Sequence, residues 1–124
     1  MDFLIWHLLR ESARRWPEKE ALVHGEERLS YSDVTRRVDG LATGLRDAGL
    51  RRGDRMGIYL EASVPQAISI FGISRAEAVY VPINALLHPE QVMHIARDCG
   101  MKGLITTAAK LASLAEVIPA DSFS

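Results

Sequence analysis

Apolar and polar residues alternate along the chain with two different periods, which divide it into helices and short strands. Residues 3–16 place apolar side chains at helical spacing before Pro17 ends the helix. The stripe that we expect to face a core consists of Ile5, Leu8, Leu9 and Trp16. The short apolar runs 20–23 and 28–29 predict a β-hairpin, because Gly25 between them can take the positive φ of a tight turn.

The clearest amphipathic helix follows this hairpin. Ser30 and Asp33 have the spacing of a capping box, in which each side chain bonds the other residue's backbone N–H at a helix start. The apolar stripe behind it comprises Val34, Val38, Leu41, Leu45 and Ala48. Gly40 and Gly44 lie inside this helix, where each costs about 1 kcal/mol relative to Ala, so we expect them to pack closely against a neighbour. Gly49 suits the left-handed position that closes the helix.

Strands and helices alternate in the second half of the chain. The predicted strands are 55–60, 78–83 and 103–106, and the helices between and after them begin near Ser63, Pro89 and Thr107. The last helix carries the apolar stripe Leu111, Leu114, Ala115 and Ile118. Such alternation predicts right-handed crossovers and a mainly parallel sheet with helices on both faces. We therefore predict a single α/β domain over residues 1–124: an N-terminal helix and β-hairpin, then β-α-β-α-β-α.

One predicted helix has no polar side. Val64, Ile68 and Phe71 share one face of it, and Ile70 and Ile73 make a second face apolar. A helix that is apolar nearly all round is normally buried between layers. We expect something besides its own sheet to cover it, and this cover can lie outside the chain, for example in the second copy of a homodimer.

Composition excludes several classes of protein. The chain of 124 residues has 15 Lys plus Arg against 16 Asp plus Glu, a formal net charge of −1, which argues against a basic nucleic-acid binder. No apolar run approaches the roughly 18 to 20 residues of a membrane span. The single Cys99 excludes an intrachain disulfide or a multi-cysteine metal site and fits a reducing compartment, so we expect a cytoplasmic protein.

The residues alone identify no catalytic group or metal site. The nine glycines form neither GxGxxG nor GxxxxGK[ST], so no nucleotide-binding fingerprint is present. The segment 106–110 can place a helix N-terminus before an anion, but capping of an ordinary helix by Thr106 or Thr107 is the stronger interpretation. His94 and Asp98 have the spacing of a surface pair, and Cys99 on an apolar face is interpreted as a small core residue.

Four segments in order along the chain resemble the N-terminal part of AMP-forming acyl-CoA synthetases. This acyl-adenylating family includes luciferases and the adenylation domains of nonribosomal peptide synthetases. The segments are 16–22 (WPEKEAL), 29–34 (LSYSDV), 49–56 (GLRRGDRM) and 78–84 (AVYVPIN). One departure is Glu77, which stands where the family usually has Gly, so we expect altered packing between the preceding helix and the following strand.

The resemblance implies the chemistry of a whole enzyme. It implies that a carboxylate and ATP, with Mg²⁺, give acyl-AMP and pyrophosphate, and that CoA then takes the acyl group as a thioester. The family's phosphate loop and catalytic Lys have no counterpart in these residues. The chain therefore resembles roughly the first quarter of such an enzyme, and its expected partner is the missing C-terminal remainder.

Two hypotheses follow for the chain itself. It is either the N-terminal fragment of an acyl-CoA synthetase, with no catalytic residue and inactive alone, or a standalone, non-catalytic α/β binding or assembly module. For the first, the resemblance implies that the loop Asn84, Ala85 and Leu86 lies near the CoA nucleotide. A loop that only joins a strand to a helix explains the same residues.

Overall fold

The computed structural model describes residues 5–116 as five helices and five strands. In chain order they are α1 (Trp6–Arg15), β1 (Glu20–His24), β2 (Glu27–Ser30), α2 (Tyr31–Asp47), β3 (Arg55–Tyr59), α3 (Val64–Arg75), β4 (Val79–Pro82), α4 (Pro89–Cys99), β5 (Gly103–Thr106) and α5 (Ala108–Ala115). This is the predicted order. The first helix was predicted to start at residue 3, which lies outside the described residues. Ile118, the last residue of the stripe predicted for the last helix, also lies outside them.

The predicted α/β architecture is confirmed, with its strands divided between two sheets. β4, β3 and β5 form a parallel sheet with β3 in the centre, while β1 and β2 form a separate antiparallel hairpin. In the parallel sheet, Gly57 of β3 lies opposite Val81 of β4 and Leu104 of β5. The hairpin turns at Gly25, whose φ is 61°.

Helices cover both faces of the parallel sheet, as predicted. Successive side chains of a strand point to opposite faces. Accordingly, Ile58 is buried with Ile73 of α3, whereas Tyr59 is buried with Val92 of α4 and Leu114 of α5. α3 therefore lies on one face of the sheet, and α4 and α5 lie on the other.

The second apolar side of α3 is covered by the chain itself. Val64 and Ile68 of α3 are buried together with Leu9 of α1, Leu29 of β2 and Val38 of α2. The prediction that α3 needs a second cover is thus confirmed, but the suggestion that this cover lies outside the chain is wrong. α3 consequently gives no reason to expect a homodimer.

The inner face of α1 differs from the predicted stripe. Leu8 is 59% exposed and Trp16 is 49% exposed, whereas Trp6 is buried. Two guanidinium groups lie over the Trp6 ring, with the Cζ atom of Arg10 4.8 Å and that of Arg75 4.1 Å from the ring centroid. Helical spacing allows either stripe, and burying the large indole ring under two cations favours the one that contains Trp6.

The helix-end signals are confirmed. Asp33 N–H donates to Ser30 Oγ at 3.1 Å, and Ser30 N–H donates to Asp33 Oδ2 at 3.2 Å, which completes the capping box of α2. The bond from the Ser30 backbone N–H is the main reason that the pKa of Asp33 lies below its ordinary value. Beyond the other end of α2, Gly49 has the expected positive φ, 105°.

The packing role predicted for Gly40 and Gly44 is wrong. Both are exposed, and a Cβ built on either has no neighbour within 4 Å. The close approach between the two helices is at Gly72 of α3 instead, where a Cβ would lie 2.6 Å from Leu41 Cδ2. The glycine that admits α2 against α3 therefore belongs to α3.

Glu77 adopts a backbone conformation that favours glycine. Its φ is 63°, the left-handed region that L side chains disfavour. Two backbone hydrogen bonds hold it there: Glu77 N–H donates to Ser74 O at 2.9 Å, and Gly53 N–H donates to Glu77 O at 2.9 Å. The turn between α3 and β4 therefore carries local strain at Glu77.

We predict opposite effects of alanine at the glycines of the two facing helices. Gly40→Ala and Gly44→Ala raise the free energy of unfolding by about 0.5–1 kcal/mol each, since both are exposed helix-interior positions. Gly72→Ala lowers it by about 1 kcal/mol or more, because Leu41 must move. Urea unfolding of the three variants checks this, and a Gly72→Ala protein as stable as the parent contradicts it.

We predict that Glu77→Gly stabilises the chain by about 1 kcal/mol, because it removes the cost of a Cβ at positive φ. The matched control is Glu77→Gln, which keeps the Cβ and removes only the exposed ion pair with Arg52, 3.6 Å away. Urea midpoints compare the two. Equal stability of the Gly and Gln variants argues against strain at this position.

Candidate functional site

The three parallel strands end at one edge of the sheet, and the loops there form the candidate site. In open parallel sheets, ligands bind outside the carboxyl ends of the strands, where neighbouring strands send their chains to opposite faces. Here β3 leads to α3 on one face, and its neighbour β5 leads to α5 on the other. β4 also leads to that other face, through α4, so β3 has a switch point with each of its neighbours, and the one considered next lies between β3 and β5.

An open cleft of about 590 Å³ lies at this switch point. Its lining comes from the ends of β3 and β5 and the starts of α3 and α5, and includes Leu60, Glu61, Ser63, Pro65, Thr106 and Lys110. Each helix start carries a side-chain cap: Ser63 Oγ accepts from Gln66 N–H at 3.2 Å, and Thr107 Oγ1 accepts from Lys110 N–H at 3.1 Å. The capping interpretation of segment 106–110 is thus confirmed at Thr107.

Lys110 ties three elements together beside this cleft. Its ammonium donates to Ala85 O at 3.0 Å and lies 4.5 Å from the centroid of the Tyr59 ring. The Tyr59 hydroxyl donates to Leu87 O at 2.6 Å, and Thr106 Oγ1 donates to Tyr59 O at 2.8 Å. The end of β3, the loop after β4 and the first turn of α5 are therefore held in one hydrogen-bonded cluster.

The loop implied by the resemblance is part of this cluster. Asn84 Oδ1 accepts from Leu86 N–H at 2.9 Å, which closes a tight turn, and Ala85 contributes the carbonyl that Lys110 binds. Leu86 is 86% exposed. The sequence analysis did not predict the contribution of Tyr59. Its one indication was the position of Tyr59 at the end of an apolar strand, where the hydroxyl needs a polar partner.

The remaining chemical candidates lie elsewhere. His94 Nε2 is 3.1 Å from Asp98 Oδ2 with both side chains exposed, which confirms a surface pair. Cys99 is half-buried and packs against the cluster of α4 and α5.

Residues 5–116 contain no group of three or more His, Cys, Asp or Glu side chains that could hold a metal ion. Within the same residues, no helix is both long and apolar enough to cross a bilayer.

A second cleft, of about 450 Å³, opens at the opposite end of the sheet, where β3 and β5 begin. Its charged lining residues are Arg51, Asp54 and Lys102. Asp54 Oδ2 accepts from the Arg51 N–H at 2.8 Å, so this carboxylate closes the turn before β3. Residues 51–54 therefore form a charged turn at the amino ends of the strands, away from their carboxyl ends.

Comparison with known proteins settles the family. The family described as AMP-binding enzyme matches residues 9–122. The chain belongs to the AMP-binding enzyme family. Among curated relatives, it is 41% identical over 96 residues to the feruloyl-CoA synthase of an Amycolatopsis species, which is 77% of this chain and 19% of that protein. It is 34% identical over 110 residues to syringomycin synthase SyrB1 of Pseudomonas syringae, which is 89% of this chain and 18% of that protein.

The fold of this family member matches solved structures of the same kind. The N-terminal domain of FACL13 from Mycobacterium tuberculosis superposes with a TM-score of 0.89 at 26% identity, over 99% of this chain and 33% of that one. The anthranilate CoA ligase AuaEII, solved with anthranoyl-AMP, gives a TM-score of 0.87 at 25% identity, over 93% of this chain and 22% of that one. The chain spans less than a fifth of the length of the curated relatives named above.

Proposed function

We propose that the chain is the N-terminal part of an acyl-CoA synthetase that activates a carboxylic acid with ATP and transfers the acyl group to CoA. The observation that carries this proposal is the 41% identity to a feruloyl-CoA synthase, compared with 34% to the syringomycin synthase. The match to the anthranilate CoA ligase AuaEII supports the same branch of the family.

In this proposal, the chain supplies scaffold, and the chemistry belongs to the rest of the enzyme. ATP and its Mg²⁺ are assigned to the remainder in this proposal, because the phosphate loop that the resemblance implies has no counterpart in these residues. No described side chain is assigned a catalytic role. The chain by itself is therefore inactive, and we place the whole enzyme in the cytoplasm, consistent with the single cysteine among these 124 residues.

We further propose that the loop of Asn84, Ala85 and Leu86 contacts the CoA nucleotide. The groups present fit such a ligand: the Lys110 ammonium carries positive charge beside the loop, and the exposed Leu86 side chain offers an apolar surface for a base. The turn of Asn84 and the bond from Lys110 to Ala85 fix the loop before a ligand arrives. The alternative, a loop that only joins β4 to α4, predicts no effect of these side chains on CoA.

A chimera tests the proposed function. The matching N-terminal segment of the Amycolatopsis feruloyl-CoA synthase is replaced by this chain, and formation of feruloyl-CoA is measured. We expect an active chimera, because the segment supplies the same scaffold. We also expect no ATP–pyrophosphate exchange by the 124-residue chain alone.

Two results contradict the proposal. Robust ATP-dependent exchange by the chain alone shows that it is an enzyme in its own right. A chimera that folds but makes no thioester, together with a chain that forms a stable assembly with itself, favours the standalone assembly module.

Lys110→Met tests the contact with CoA in the same chimera. We expect the KM for CoA to rise about tenfold, equivalent to about 1.4 kcal/mol, because a charged hydrogen-bond donor is lost. ATP–pyrophosphate exchange, which needs no CoA, stays unchanged. The matched control is Lys102→Met, an exposed lysine at the opposite edge, which leaves both quantities unchanged. An unaltered KM in the Lys110→Met chimera excludes this role.

A further inference from the structure

The loop between β4 and α4 is held at two backbone carbonyls, one on each side of Leu86. The Lys110 ammonium donates to Ala85 O at 3.0 Å. The Tyr59 hydroxyl donates to Leu87 O at 2.6 Å. The first donor belongs to α5 and the second to the end of β3, so the loop is tied to two different elements beside the cleft.

Hydrogen bonds within the loop complete this arrangement. The N–H of Leu86 donates to the side-chain oxygen of Asn84 at 2.9 Å, and the N–H of Leu87 donates to the Asn84 carbonyl at 3.1 Å. Both backbone groups of Leu87 are thus bonded, while the side chain of Leu86 stays exposed. A loop that is fixed before its ligand arrives loses less conformational entropy on binding.

Tyr59 contributes to both of the ties that hold the loop. It is buried, and its hydroxyl makes one of them directly. The centroid of its ring lies 4.5 Å from the Lys110 ammonium, so the negative face of the ring holds the cation that makes the other. An ammonium has three N–H donors, and the bond to Ala85 O uses one, which leaves the others for an anionic ligand.

The Tyr59 side chain is itself anchored on several sides. Its backbone C=O accepts from Thr106 Oγ1 at 2.8 Å, and Thr106 is also its partner in the ladder between β3 and β5. Its ring packs in a cluster with Val92 of α4 and Leu114 of α5, both of which are fully buried. Because closely packed interiors transmit displacements, the position of this ring sets the position of the carbonyl that its hydroxyl binds.

We propose that Tyr59 is a positioning residue for CoA, whose hydroxyl and ring place the loop after β4 and the Lys110 ammonium where the nucleotide of CoA binds. The inference rests on the proposed function, since it requires the loop to contact CoA. It assigns a role to a buried side chain that touches no substrate and acts through the loop. If Tyr59 is only a core residue, its loss affects stability and does not distinguish one substrate from another.

Tyr59→Phe in the feruloyl-CoA synthase chimera tests this role, because it removes the hydroxyl and keeps the ring beneath Lys110. Thioester formation is measured with CoA and with pantetheine, which has the same thiol arm and no nucleotide. We expect the KM for CoA to rise about fivefold at unchanged kcat, since one hydrogen bond is lost. The value of kcat/KM for pantetheine stays unchanged, as do the KM values for ATP and ferulate in pyrophosphate exchange.

A second variant grades the effect. Tyr59→Leu removes the ring as well as the hydroxyl, so we expect the KM for CoA to rise about tenfold or more. The matched control is Tyr80→Phe, which removes a hydroxyl from a half-buried ring on the other face of the sheet and changes none of these constants. Urea unfolding establishes that each variant folds, and Tyr59→Phe alone decides the question if Tyr59→Leu does not fold.

The outcomes separate this inference from the proposed function. An active chimera in which Tyr59→Phe leaves the KM for CoA unchanged overturns the positioning role and leaves the proposed function standing. An equal loss with CoA and pantetheine, or a raised KM for ATP, shows that Tyr59 only supports the fold, which also overturns the inference. A parent chimera that folds but forms no thioester contradicts the proposed function and, with it, the role of Tyr59.

Discussion

The fold depends on one constraint: α3 has no polar side, so both of its apolar sides must be covered by other parts of the chain. The parallel sheet covers one side, where Ile73 is fully buried. α1, α2 and the hairpin cover the other, where Val64 and Ile68 are buried. Burial of each such side chain contributes about 1.5–3 kcal/mol. The N-terminal third of the chain is therefore a cover for α3, and Gly72 lets α2 approach closely enough to serve as one.

Local signals in the sequence predicted what depends on neighbouring residues. The capping box of Ser30 and Asp33, the left-handed Gly49 and the order of strands and helices all follow from interactions within a few positions. The choice of stripe on α1 and the packing role of Gly40 depend on which distant surface the helix meets. Spacing along one helix does not contain that information, and both predictions were wrong for this reason.

The candidate site likewise combines features that local sequence signals predicted with a contact between distant residues that they did not. The resemblance led to Asn84, Ala85 and Leu86, and the strand-to-helix pattern led to the cap at Thr107. The cluster that holds them combines Tyr59 with Lys110, which are 51 positions apart by their numbers and meet only because β3 and β5 are adjacent. Lysine and tyrosine are common residues, so neither the sequence around Tyr59 nor that around Lys110 predicts the contact between them.

The two edges of the parallel sheet differ in a way that fits a part of a larger domain. A sheet that is complete on its own protects both edges, because an exposed edge invites pairing with other chains. Here Pro82 blocks pairing at one outward position of β4, while β5 has only uncharged residues and α5 overhangs it with Leu111. The cleft between β3 and β5 lies at the carboxyl end of that open side.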